Sequence, residues 1–114
     1  ERTKKFYREL GFKIEYERTE DKFVFMSFQD SQFMFEQIHD DGWNIGELVY
    51  PLGRGINFSI AVDNIEELYK LVNHLNIELY RELTRNIYQV NGIEEMQIEF
   101  LIQDPNGYLL RFTN

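Results

Sequence analysis

A chain of 114 residues has room for one hydrophobic core and is too short for two independent ones. Its content of 43% apolar and 16% aromatic residues supplies that core and excludes intrinsic disorder. The absence of cysteine excludes a disulfide framework, a thiolate zinc site and a thiol nucleophile, and a net charge of −8 works against gripping a phosphate backbone.

With no apolar run near the roughly 20 residues that span a bilayer, the expectation is a soluble cytoplasmic protein without nucleic-acid or membrane partners. The acidic excess is either a solvated surface or a preference for cationic ligands. The chain starts at Glu1 rather than Met, so residues upstream are expected to be missing.

The first ten residues, ERTKKFYREL, place Phe6 and Leu10 on one helical face, and Gly11 follows as a helix stop. FKIEYERTE (12–20), KFVFMSFQD (22–30) and SQFMFEQI (31–38) are rich in aromatic and β-branched residues and divided by polar turns, which predicts a three-stranded meander. Residues 39–55 hold four of the seven glycines and read as a linker.

INFSIAV (56–62) reads as a strand. Asp63 and Glu66 then form a capping-box pattern before a helix with Ile65, Leu68, Tyr69, Val72 and Leu75 on its apolar face. Strands are predicted at 77–90, 97–104 and 108–114, separated by turns at Asn91-Gly92 and Pro105-Asn106-Gly107.

The two halves repeat one order of elements, and the repeat is visible in letters. KFVFMSFQD-SQFMFE (22–36) lies over QIEFLIQDPNGYLLRF (97–112), with Gln29-Asp30 matching Gln103-Asp104. The division is therefore one domain, 1–114, made of a module at 1–38, a linker at 39–55 and a module at 56–114. The first module lacks only an opening strand, which an absent N-terminal segment would supply.

Strand alternation assigns faces. Ile56, Phe58, Ile60 and Val62, with Tyr108, Leu110 and Phe112, point toward the helices, and by the repeat so do Phe33 and Phe35. The opposite face gathers Phe23, Phe25, Met34, Glu36, Asn57, Ser59, Ala61, Gln97, Glu99, Leu101, Leu109 and Arg111. That mixture of aromatic, small and charged side chains suits a concave ligand cleft; a wet sheet face or a dimer surface is the plainer alternative.

FYRELGFKIEY (6–16), INFSIAVDNIEELYKLV (56–72) and EFLIQDPNGYLLRF (99–112) resemble the vicinal-oxygen-chelate superfamily of glyoxalases, bleomycin-resistance proteins and extradiol dioxygenases. Nearly the whole chain takes part in the match, which is nearest to the bleomycin-resistance-like members. The resemblance implies an α+β fold of two βαβββ modules, each a curved half-barrel around a cleft, with homodimers common.

In the metal enzymes of this superfamily, His and Glu from the opening and closing strands hold a divalent ion. The resemblance places Asn57 and Arg111 at two of those positions, and neither is an adequate ligand. Only Glu36, at the matching place in the first module, is suitable, so no metal and no cofactor are expected. His39, beside Asp40 and Asp41, reads as solvated loop, and His74 suits a helix C-terminus.

The resemblance thus points to a metal-free protein that sequesters a cationic or aromatic small molecule in a dimer cleft, as bleomycin-resistance proteins do, with no catalytic residues. Phe23, Phe25, Met34, Glu36, Trp43, Asn57, Ser59, Glu99, Leu109 and Arg111 are the candidate ligand contacts. Trp43 reads equally as a linker anchor packed in the core. Two alternatives stay open, a metal-dependent lyase, transferase or dioxygenase with unusual ligands, and a regulatory or interaction module. If the repeat's symmetry is kept, Glu36 and Arg111 converge and form an ion pair in place of a metal; otherwise both point into solvent.

Overall fold

The computed structural model describes all 114 residues. In chain order the elements are α1 (Arg2–Glu9), β1 (Lys13–Arg18), a 3-10 turn (Thr19–Asp21), β2 (Phe23–Phe28), β3 (Ser31–Glu36), β4 (Asn57–Ala61), α2 (Ile65–His74), β5 (Leu79–Val90), β6 (Ile93–Gln103) and β7 (Leu109–Thr113). The first half is thus αβββ and the second βαβββ. The first three strands make an antiparallel sheet in sequence order, and the other four a sheet ordered β4-β7-β6-β5. Only the β4–β7 pairing is parallel: α2 carries the chain from β4 to β5 at the opposite edge of the sheet, and the β5-β6-β7 meander returns to place β7 beside β4.

Alternation in β2 and β6 decides what is buried. Val24 and Met26 point inward, as do Phe100 and Ile102, and they meet Leu110 and Phe112 of β7 and Ile65, Leu68 and Val72 of α2 in one core shared by both halves. Aromatic contacts join the two sheets: Phe33 approaches Phe58 with ring centroids 5.8 Å apart, and Phe28 meets Phe112 edge-on at 6.3 Å. Each sheet keeps its other face free of this core.

Several sequence expectations shift. On α1, Tyr7 and Leu10 are the fully buried pair, and Phe6 is only partly so. Tyr7 wins because its hydroxyl has a buried partner: it donates to Oδ2 of Asp104 at 2.6 Å, while Asp104 Oδ1 accepts from the backbone N–H groups of Asn106 and Tyr108 at 2.9 Å each. Burial and that carboxylate hold the Tyr7 phenol well above its ordinary pKa.

The capping box at α2 does not form. Asn64 is the N-cap and makes no side-chain cap bond, and the Asp63 N–H instead donates to Gln29 Oε1 at 2.9 Å. Of the inward set on the predicted strand at 56–62, only Ile60 and Val62 are buried; Ile56 and Phe58 remain exposed at the sheet end.

The third strand of the second half starts at Ile93, four residues before the expected Gln97, because the Asn91-Gly92 turn (φ +53 and +80) closes β5 directly onto β6 in register from Val90–Ile93 onward. The result is a long two-stranded ribbon. The linker does not wander freely at its end: Leu52 and Gly53 donate to the carbonyls of Asn106 and Gly107 at 3.0 and 3.1 Å. Gly107, at φ +91, is pressed so closely on Pro51 that a Cβ there would collide with it. No helix is long and apolar enough to cross a membrane.

Candidate functional site

The site is built where β7 lies between β4 and β6. Parallel register sets Ser59 beside Arg111 and Asn57 beside Leu109, and antiparallel register sets Leu101 against Arg111 and Glu99 against Thr113. All of these side chains emerge on the face opposite α2. Arg111 Nη1 donates to Glu99 Oε2 at 2.9 Å and Nη2 donates to Ser59 Oγ at 3.1 Å. The Glu99 side chain is only 10% exposed and that of Arg111 31%, so the pair is largely desolvated and its charges are matched at short range. Arg111 Nε is buried and has no partner.

Beside this cluster is a shallow depression of about 150 Å³ lined by Leu109, Gln103 and Tyr80 of the sheet and by Pro51 and Arg54 of the linker. Sequence reasoning missed Tyr80, Gln103 and Arg54. Tyr80 stands on a strand to which no faces were assigned, Gln103 at the end of one assigned only as far as Leu101, and Arg54 in a segment without any period to read.

The first sheet presents a different face. Phe25 stacks on Tyr16 with centroids 5.3 Å apart and planes 7° from parallel, Tyr16 also touches Phe23 at 5.9 Å, and the Arg18 guanidinium sits 4.2 Å from the Phe23 ring centroid. Met34 stands opposite Phe25 and Glu36 opposite Phe23 across the β2–β3 ladder. Tyr16 and Arg18 were not among the expected contacts. Cross-strand pairing of β1 with β2 over a bulge brings them there, and that register has no trace in the letters.

Glu36 and Arg111 do not pair within the chain. Glu36 Oε1 lies 3.3 Å from His39 Nε2, an exposed contact that is an ion pair only when the imidazole is protonated, and Arg111 is bound to Glu99 and Ser59. The two positions are equivalent in the repeat but belong to different sheets, and each finds a nearer partner on its own. Trp43 is fully exposed in the linker. The anchored alternative for it is thereby corrected, since no core position is available to its indole. His74 is the last residue of α2.

A divalent metal does not fit this donor set. Arg111 brings a guanidinium bonded to the nearest carboxylate, Asn57 offers a neutral amide, and no three His, Asp or Glu side chains are grouped closely enough to hold an ion.

The chain matches no protein-family model and no curated protein sequence. Solved structures do match. A glyoxalase/bleomycin resistance protein/dioxygenase from Alicyclobacillus acidocaldarius aligns over 95% of this chain and 76% of its own, with a TM-score of 0.63 and 24% identity. A bleomycin-binding protein complexed with bleomycin aligns over 99% of this chain and 87% of its own, with a TM-score of 0.65 and 20% identity.

These likenesses define the fold as that of the vicinal-oxygen-chelate proteins. A glyoxalase/bleomycin resistance protein/dioxygenase superfamily member from Vibrio splendidus 12B01 is 34% identical over 95% of this chain and 81% of its own, with a TM-score of 0.49. The chain belongs to the glyoxalase/bleomycin resistance protein/dioxygenase superfamily.

Proposed function

We propose that this chain is a metal-free, small-molecule-binding member of its superfamily, which sequesters a cationic or aromatic ligand between two copies of itself. The observation that carries this reading is the Arg111–Glu99–Ser59 cluster. It fills with an internally neutralised, hydrogen-bonded group the position from which metal-binding relatives would supply a ligand, and it lies on an open face beside Leu109 and Asn57. The aromatic face of the first sheet, where Phe25 stacks on Tyr16 and Tyr16 touches Phe23 beside Met34 and Glu36, offers a planar cation exposed rings and a carboxylate, with Arg18 already over Phe23 at its edge. The bleomycin-binding protein that shares the fold, in complex with bleomycin, is a precedent for holding a small molecule on this scaffold.

The chain acts as one domain of two modules, 1–38 and 56–114, joined by the 39–55 linker. A ligand enclosed by both kinds of face takes the first sheet from one copy and the second sheet from the other. Trp43, free in the linker, is then available as a further stacking surface.

A thermal-shift screen against planar aromatic compounds matched for ring size but differing in charge tests the reading. Cationic members should raise Tm in a concentration-dependent way, neutral members less, and anionic members not at all. Glu36→Gln should reduce the response to cations about tenfold in apparent Kd, the scale of one partly desolvated cation–carboxylate contact, and leave the neutral compounds unchanged. Elemental analysis showing a stoichiometric divalent ion required for turnover would replace this reading with an enzymatic one. A response to peptides alone would replace it with a regulatory one.

A further inference from the structure

The dipeptide Asn-Gly stands at two places in the chain, Asn91-Gly92 and Asn106-Gly107, and the fold treats the two in opposite ways. In this dipeptide the backbone nitrogen of the glycine is a nucleophile toward the asparagine side-chain amide, because a residue without Cβ leaves that approach unhindered. A bond forms between the Gly nitrogen and Asn Cγ, the Cγ–Nδ2 bond breaks, and ammonia leaves. Water then opens the cyclic imide at either carbonyl and yields an aspartate or a β-linked isoaspartate. Water is the only co-reactant, and nothing is oxidised or reduced.

At Asn106-Gly107 every participating group is held. Asn106 Nδ2 donates to Thr3 Oγ1 at 3.0 Å, the Asn106 N–H donates to Asp104 Oδ1 at 2.9 Å, and the Asn106 carbonyl accepts from the Leu52 N–H at 3.0 Å. The nucleophile is engaged as well, since the Gly107 N–H donates to the Asp104 carbonyl at 3.1 Å and Gly107 is pressed against Pro51. Turning the Asn106 amide onto the Gly107 nitrogen breaks at least two of these bonds.

Asn91-Gly92 is open by contrast. Both residues are exposed, the space beside Gly92 is empty to 4 Å, and the Gly92 N–H donates to no turn carbonyl. Only the left-handed conformation of the turn, with φ +53 at Asn91 and +80 at Gly92, keeps amide and nucleophile out of line. That restraint is weak. β7 pairs with β6 only over Glu99–Gln103, so from Arg85–Ile98 to Val90–Ile93 the two strands run on alone. A two-stranded ribbon without a third strand is marginal in water, and its tip opens locally.

We propose that Asn91 is a site of spontaneous deamidation, and that the β linkage formed there uncouples the outer half of the β5–β6 ribbon. Isoaspartate inserts one more atom into the main chain of a two-residue turn, so Val90 and Ile93 no longer close on each other in register. The new carboxylate also joins Glu94 and Glu95, adding like charge to the tip of a chain whose net charge is already −8. The loss of pairing stops at Glu99, where β7 begins to cover β6, so the Glu99–Arg111–Ser59 cluster lies outside it. The proposal is independent of what the chain binds.

The two dipeptides in one chain serve as each other's control. Protein held in mildly alkaline buffer is digested with a glutamate-specific protease, which cuts between the sites at Glu94, Glu95 and Glu99, and the fragments are weighed. In the folded chain, Asn91 should convert about tenfold or more faster than Asn106, the scale of the hydrogen bonds that Asn106 must break. The rate should rise with pH, because the Gly92 nitrogen attacks after losing its proton. In urea the two sites should convert at similar rates. Hydrogen exchange on the aged protein should show protection lost over 85–98 and kept in β7. Freshly prepared Asn91→Asp, which carries the charge without the β linkage and tolerates the same φ, should keep most of that protection. Equal conversion at the two sites in the folded chain, or none at Asn91, overturns the assignment of the site. Conversion at Asn91 with full protection over 85–98 overturns the uncoupling.

Discussion

The two sheets share a core and a strand order, yet their outer faces solve the problem of exposure in opposite ways. The first is an aromatic surface with its charges at the edges, where Arg18 lies over Phe23 and Glu36 reaches only to His39. The second buries its charges in the middle, with Glu99 beneath Arg111 and Ser59 holding the guanidinium from the other side. Equivalent places in an internal repeat therefore do not carry equivalent energetics. An ion pair open to water contributes a few tenths of a kcal/mol, whereas one that is desolvated is costly to break from one side.

The largest effect should come from breaking the buried pair on one side only. Arg111→Leu leaves the Glu99 carboxylate without its cation, at a cost of roughly 2–3 kcal/mol, below the full-burial figure because the guanidinium is a third exposed. Adding Glu99→Gln should recover a good part of that loss, since the double variant holds no unpaired charge. Urea melts of the four proteins in the cycle measure the coupling, and a cycle that is additive within about 0.5 kcal/mol would mean that the pair is solvated in solution.

Next in size is the tie between the halves. Tyr7→Phe keeps the ring contacts with Phe12, Phe33 and Phe35 and removes only the hydroxyl, leaving Asp104 Oδ2 with one donor fewer in a buried place. The expected loss is about 1–3 kcal/mol. The same residue gives an alkaline signature. Its folded pKa lies above the unfolded value, so the neutral phenol's contribution is complete below about pH 10 and is lost progressively as the pH rises beyond that. Wild type should therefore destabilise more steeply than Tyr7→Phe between pH 10 and 11, and parallel curves would show that the phenol is not held neutral.

Those two sites also mark what the sequence could and could not tell. The repeat, the αβββ and βαβββ orders and the outward placement of Glu99, Arg111 and Ser59 follow from periodicity, which is local and strong in strands such as NFSIA and LLRFT. Partner choice is not local. Glu99 was assigned to the correct face, but its bond to Arg111 depends on the β6–β7 register, and the β6 start at Ile93 was hidden because EEM reads as polar loop. Tyr7 was passed over for Phe6, since a hydroxyl lowers a residue's apparent fitness for a core until a distant acceptor, here Asp104, is known. Symmetry of the letters suggested that Glu36 meets Arg111. The sheets decide otherwise, because a carboxylate already sits two residues along from the register partner of Arg111 on the adjacent strand.

The smallest expected effect sharpens that last point. Glu36 and His39 are each more than 40% exposed, and water competes for every bond they make. Glu36→Gln should thus change stability by less than about 0.5 kcal/mol, a shift of a few degrees in Tm at most for a domain of this size. Combined with Arg111→Leu it should be additive, in contrast to the Glu99 cycle, because the two side chains share no partner within a chain. The comparison is informative only below the concentration at which copies associate, since a two-copy cleft brings the first sheet of one chain to the second sheet of the other. Additivity in dilute protein followed by coupling above the association range would assign any Glu36–Arg111 communication to the assembly. Coupling already present in the isolated chain would show that the two sheets approach each other more closely than their separate partners imply.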